Sequence, residues 1–141
     1  MNVSQVGIDL IKQYETLRLK AYMPTPNDVP TIGYGHTHGV KMGDICTEDQ
    51  ADEWLRQDCA FAESCIDDNV TVPLQQNEFD ALVSFIFNVG CGAFKVSTML
   101  KMINDGDLDS ASQQFARWNK QKGQVLAGLT RRRADEKELF A

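Results

Sequence analysis

The sequence predicts an α+β fold in which a small antiparallel sheet lobe is followed by a larger helical lobe. Three observations carry this. Two alternating segments between Arg18 and Tyr34 flank a proline-rich loop, the pattern of paired, half-buried strands. From Thr47 onward apolar residues recur at helical spacing, and that stretch opens on a capping-box signature. Finally, Gln75 to Val89 is apolar nearly all round in its second half, which marks a helix buried on most sides.

Taken in order, Val3, Val6, Leu10, Ile11 and Tyr14 define a first helix that Ser4 caps and that ends near Glu15. Arg18 to Tyr22 alternates as a strand. Pro24, Pro26 and Asn27-Asp28 make a turn-rich loop, and Pro30 keeps the approach to Thr31 extended. Val29 to Tyr34 reads as a second strand and Gly39 to Asp44 as a third short one. Thr47-Glu48-Asp49-Gln50 opens a helix running to about Asp67, with Ala51, Trp54, Leu55, Cys59 and Ala62 inward. Val70 to Pro73 breaks it, and Gly90-Cys91-Gly92 stops the central helix. Shorter helices are expected over Ser97–Asn104, Leu108–Trp118 and Leu129–Phe140, with a polar loop from Asn119 to Gly128. At 141 residues this is one domain, 1–141, with residues of about 16–46 in the sheet lobe and 1–15 with 47–141 in the helical lobe. The first helix is expected to pack back on the helical lobe.

No run approaches the roughly 18 apolar residues of a membrane span. The first nine residues have neither the basic nor the continuous apolar region of a signal peptide, so synthesis and retention in the cytoplasm are expected, without a membrane anchor. Cys46, Cys59, Cys65 and Cys91 lack metal or redox spacing. Cys59 and Cys65, on one expected helix, stand roughly 9 Å apart along its axis and make poor disulfide partners. All four are therefore expected as thiols, and with His36 and His38 the only histidines, no metal and no cofactor is expected. From Arg117 onward seven basic residues face three acidic ones. That segment carries +4 and the rest −10, for a net charge of −6. The basic segment reads either as a solvated face or as a patch that meets an anionic polymer; the overall acidity argues against nucleic acid as the partner.

Glu15 is the residue around which chemistry gathers. It ends a helix beside Tyr14, Leu17 and Leu19, an apolar setting of the kind a proton-donating carboxylic acid uses. The ribbon that follows supplies Thr31, Tyr34, His36 and Thr37 at the spacing of a cleft wall.

Glu15, Ala21-Tyr22, Thr31-Ile32-Gly33-Tyr34-Gly35-His36-Thr37, Gln76 to Leu82, Phe87 to Gly90, Arg117-Trp118-Asn119 and Gly128 to Arg133 resemble the phage-type lysozymes, the endolysins of glycoside hydrolase family 24. The resemblance runs from about Ile8 to Phe140 with the motifs in order. It implies a lysozyme-like fold with a saccharide cleft between the two lobes. It also implies hydrolysis of the β-1,4 bond between N-acetylmuramic acid and N-acetylglucosamine in bacterial peptidoglycan, leading to host lysis. Glu15 is then the general acid, and Thr31 holds the attacking water. Tyr34, His36, Thr37, Phe87, Ser97 and Arg117 match substrate-side positions, with His36 orienting rather than catalytic. A monomer is implied, kept in the host cytoplasm until a holin permeabilises the membrane, and acting then on glycan strands of the periplasmic wall.

One departure stands out. The family's second acid, nine residues after its glutamate, is Pro24 here, and the interval from Glu15 to Thr31 is one residue longer than the family's. Either Asp28, the only carboxylate between Glu15 and Thr31, supplies the second acid, or Glu15 works with Thr31, a water and the loop backbone. The same gap leaves two alternatives to hydrolysis: a lytic transglycosylase relying on Glu15 alone, and a non-catalytic peptidoglycan-binding protein.

Overall fold

The computed structural model describes residues 1–141. Along the chain lie α1 (Gln5–Tyr14), β1 (Arg18–Tyr22), β2 (Thr31–Gly33), α2 (Glu48–Asp58), α3 (Ala60–Asn69), α4 (Gln76–Val89) and α5 (Cys91–Lys95). There follow α6 (Thr98–Asn104), α7 (Leu108–Gln114), a 3-10 turn over Phe115–Arg117, β3 (Lys120–Gln121), β4 (Gln124–Val125) and α8 (Ala127–Phe140). Two compact units result, one of Ile11–Ala60 and one of Met1–Leu10 with Phe61–Ala141.

In the first unit β1 and β2 pair antiparallel, Arg18 opposite Gly33 and Tyr22 opposite Thr31, with a register shift between these pairs. β2 is buried throughout because α2 lies on it: a Cβ at Gly33 would stand 3.2 Å from that of Ala51. This packing takes α2 into the sheet unit and moves the boundaries to Leu10/Ile11 and Ala60/Phe61 from the 15/16 and 46/47 read in the sequence. The capping box is present, with the Gln50 N–H donating to Thr47 Oγ1 (3.1 Å) and the Thr47 N–H to Gln50 Oε1 (3.0 Å). Two expectations are corrected. Gly39 to Asp44 is a pair of turns, not a strand; edge pairing waits until Ile45, which bridges to Lys20. The single helix expected to Asp67 is two helices, parted at Cys59, whose N–H closes α2.

The second unit is built on α4, with α8 packed along it. Phe79, Ala81, Leu82, Val83, Phe85 and Ile86 are at most 2% exposed, and the larger of them are worth about 2–3 kcal/mol each in burial. Phe85 meets Phe115 and Trp118 edge-on, each with ring centroids 5.4 Å apart. The stop at Gly90 is followed at once by the five-residue α5, which the sequence pattern had not indicated, and the polar loop after Asn119 contains the β3–β4 hairpin. The Ser4 hydroxyl does not cap α1. It donates to Asp80, whose buried carboxylate also accepts from the Ser4 N–H (2.9 Å) and Gln76 Nε2 (2.8 Å). Gly7 makes this close approach of α1 and α4 possible, since a Cβ there would lie 2.5 Å from Val3 Cγ2 and 3.0 Å from Asp80 Cβ.

Two of the three consecutive arginines are not part of a solvated face. Arg132 and Arg133 are 3% and 1% exposed, and both pair with Glu136, which is fully buried. Ser84 Oγ donates to Glu136 Oε2 (2.6 Å), Arg132 Nη2 donates to the Ser84 carbonyl (3.0 Å) and Arg133 Nε to that of Trp118 (2.9 Å). Arg133 also reaches Asn88 Oδ1 and lies 5.0 Å from the centre of the Phe85 ring. Burial pushes the Glu136 carboxyl up and the Arg133 guanidinium down, while their attraction opposes both shifts.

The cysteines also differ from expectation. Cys46 and Cys59 are buried thiols, but Cys65 on α3 is bridged to Cys91 on α5 with Cα atoms 5.9 Å apart. The spacing argument considered partners within one helix. The turn out of α4 brings together two cysteines 26 positions apart. Closing a loop of that length stabilises by about 3 kcal/mol in the chain-entropy treatment. Cys65→Ser is therefore expected to lower unfolding stability by about that amount, measured by urea denaturation, and a reductant should destabilise the parent but not the variant.

Candidate active site

Glu15 follows α1 directly, and its N–H still donates to the Ile11 carbonyl (2.9 Å), so the last helical turn fixes where its side chain starts. The carboxylate is half-buried and faces the turn after β2: a Cβ on Gly35 would lie 3.7 Å from Glu15 Oε2. Gly35 adopts φ +81°, which a residue with a side chain reaches only at a cost. Reciprocal backbone hydrogen bonds between Ile32 and His36 (2.9 and 2.8 Å) hold the turn closed. Leu19, expected to wall the acid, is 47% exposed.

His36 braces the turn from behind. Its ring stacks on Trp54 (centroids 4.6 Å apart, planes 9° apart) and its Nδ1 donates to Asp58 Oδ2 (2.8 Å). Trp54 and Asp58 are four residues apart on one face of α2, and one side chain grips both. Tyr34 is 7% exposed, with Lys12 Nζ 5.4 Å from its ring centre and Lys12 paired to Asp52 at 2.6 Å. Burial pushes the Tyr34 phenol upward, Lys12 opposes this, and Asp52 and Glu48 reinforce it. The phenol is thus a hydrogen-bond donor at neutral pH.

Thr31 opens β2 and is 5% exposed; its hydroxyl donates to the Val29 carbonyl (3.0 Å), which leaves the oxygen's lone pairs to accept. Asp28 is exposed, and its Oδ1 accepts from the Val29 N–H (2.8 Å). The side chains of Asp28 and Thr31 therefore both hold residue 29, the carboxylate from one side and the hydroxyl from the other. Pro24 lies in the exposed bend before them. Thr37 is exposed, and its carbonyl accepts from the Val40 N–H (3.4 Å).

The remaining candidates belong to the helical unit. Phe87 is half-buried on α4, 6.2 Å from the Phe61 ring centre. Ser97 caps α6: its Oγ accepts from the Leu100 N–H (3.1 Å) and donates to the Phe94 carbonyl (2.7 Å). Arg117 is exposed on the wall of a depression of about 400 Å³ that Trp118 and Lys120 also line. Sequence reasoning missed Trp54 and Asp58 as partners of His36. The signal was there in part, since a tryptophan and an aspartate at helical spacing downstream of a buried histidine form a ready bracket for it.

A helix-end glutamate against a glycine turn, in a chain with a two-stranded sheet unit and a helical unit built on one central helix, defines a lysozyme-type protein. The sequence model described as Phage lysozyme matches residues 12–136, and the chain belongs to that family. It is 45% identical over 144 residues to the endolysin of Acyrthosiphon pisum secondary endosymbiont phage 1, covering 99% of this chain and 98% of that one. It is likewise 45% identical over 142 residues to the endolysin of Bacillus phage PZA, again covering 99% of this chain but 55% of the larger relative. Among solved structures it is similar to the muramidase domain of SpmX from Asticaccaulis excentricus (TM-score 0.92, 43% identity, 99% and 97% covered). It is also similar to a variant of P22 lysozyme (TM-score 0.91, 38% identity, 99% and 98% covered).

Proposed function

We propose that this chain is a phage endolysin acting as a muramidase: it hydrolyses the β-1,4 bond between N-acetylmuramic acid and N-acetylglucosamine in bacterial peptidoglycan. The observation that carries the reading is the Glu15 carboxylate held against the Gly35 turn, with Thr31 at the head of the strand leading into that turn. Glu15 protonates the leaving glycosidic oxygen, and the Thr31 hydroxyl accepts a hydrogen bond from the attacking water, leaving a water lone pair free for the sugar carbon. Asp28, tied through its side chain to the same residue as Thr31, supplies the second carboxylate. By the resemblance, Tyr34, His36 and Thr37 of the first unit and Phe87, Ser97 and Arg117 of the second are substrate-side positions.

No helix is long and apolar enough to cross a membrane, and the Cys65–Cys91 bridge suits an oxidising compartment. We place the chain in the host cytoplasm until a holin releases it to the periplasmic wall, and the bridge fits that destination. The test is muropeptide mass spectrometry after digestion by the parent and by Asp28→Asn. Hydrolysis leaves reducing ends; 1,6-anhydro ends from the parent would overturn it in favour of transglycosylation. Asn keeps the oxygen that the Val29 N–H needs, so the turn should survive. Turnover is expected to fall about 100-fold. Near-parental turnover would remove Asp28 from the mechanism and leave Glu15 with Thr31.

A further inference from the structure

The Cys65–Cys91 bridge joins two segments of unequal firmness. On one side Cys65 is 3% exposed on the ten-residue α3, and the end of that helix is clamped. Asn69 Nδ2 donates to the Cys65 carbonyl (2.8 Å), Asn104 Nδ2 on α6 donates to the Asn69 carbonyl (2.9 Å), and the Thr71 N–H donates to Asn104 Oδ1 (2.9 Å). On the other side stands α5, five residues long, a length at which a helix does not hold itself in water. No side chain caps its start at Gly90, Val96 at its end is 86% exposed, and Phe94 is its one buried residue. Cys91, the first residue of α5, is half-buried, so an exchanging thiol or disulfide can reach the bridge from this side. The bridge therefore lends the order of α3 to a helix that has little of its own.

α5 separates two proposed substrate-side positions: Phe87, in the last turn of α4, and Ser97, which caps α6. All of these residues belong to one unit. The bridge also sets a condition on storage. Cytosolic thiols are kept reduced by glutathione and thioredoxin, so a chain held in the host cytoplasm carries Cys65 and Cys91 as a dithiol.

We propose that Cys65 and Cys91 are a redox switch on this segment. In the dithiol form α5 is loose; closure of the bridge after release orders the run from Phe87 to Ser97 and tightens the hold on the glycan. The storage compartment and the glycan both rest on the muramidase reading. The oxidant is a disulfide of the outer compartment, on a carrier protein or a small molecule. One Cys thiolate attacks it, forming a mixed disulfide and expelling a first thiol, and the other Cys thiolate then displaces the second. The two cysteines give up two protons and two electrons, one S–S bond forms as another breaks, and the oxidant leaves as two thiols. Cys46 and Cys59 are buried and take no part.

The experiment uses the full chain in both forms, reduced with a phosphine or oxidised with glutathione disulfide, at a temperature where both are folded. Amide hydrogen exchange over residues 91–95 is expected to be at least tenfold faster in the reduced form, with the amides of α4 unchanged. On purified peptidoglycan the reduced form should show a KM about fivefold higher with kcat kept. Cys65→Ser should match the reduced form whichever reagent is present. Equal exchange over 91–95, or equal KM for the two forms, overturns the switch and leaves the bridge a stabilising staple. Thiol alkylation in cells making the chain should find Cys65 and Cys91 free until the membrane is permeabilised; a bridge closed beforehand overturns the switch as well. Were the parent inactive in both forms, the muramidase reading would fail. Cosedimentation of the two forms with insoluble peptidoglycan would then still decide the switch, with equal binding overturning it.

Discussion

Glu15→Gln should lower peptidoglycan turnover by about 10³-fold or more and leave thermal unfolding close to that of the parent. The amide matches the carboxyl in size but has no proton to give the departing oxygen, and general acid catalysis of this kind contributes roughly 10²–10⁴-fold. Glu15 is half-buried at a helix end, and its backbone N–H keeps its partner on Ile11 in parent and variant alike. The measurement is release of reducing ends from purified peptidoglycan, paired with a melting curve. Turnover within tenfold of the parent would show that the acid lies elsewhere. A pure peptidoglycan binder would behave identically before and after the change.

The second large effect falls on stability. Glu136→Ala removes the carboxylate between two guanidinium groups at 3% and 1% exposure and leaves Ser84 Oγ without its acceptor. Breaking a buried ion pair by deleting one partner typically costs 3–5 kcal/mol, because the surviving charge stays out of water uncompensated. For a chain of this size that corresponds to a melting temperature lower by roughly 10 °C or more. Arg131→Gln, five residues earlier but exposed, should change stability by no more than about 0.5 kcal/mol. Comparable melting shifts for the two variants would contradict the buried network.

These two predictions divide along what the sequence displays. Glu15 and the turn from Thr31 to His36 are local: a helix end, a short strand and glycines placed where the backbone must bend. Such features read directly from residue type and spacing. The central helix was legible for a similar reason, because an apolar surface on nearly every side leaves it one place to go. Arg132 and Arg133 gave the wrong impression because charge was taken as a sign of exposure. Their burial depends on Glu136, one turn further along, and on Ser84 and Asn88, 45 to 48 positions back. The disulfide was hidden likewise, since it joins helices that a turn at Gly90 brings together. The Gly39 to Asp44 segment has strand-like composition, but its own short-range hydrogen bonds, Val40 to Thr37 and Asp44 to Lys41, close it into turns.

Gly7 sets a limit for anyone engineering a hardier variant. Replacing a mid-helix glycine by alanine is a standard stabilising change, worth about 1 kcal/mol from helix propensity alone. At position 7 the added methyl would meet Asp80, whose 1% exposed side chain is tied to Ser4 and Gln76 and has little room to yield. Gly7→Ala should therefore lower the melting temperature rather than raise it, and a scan for thermostabilising substitutions does better to pass this helix by.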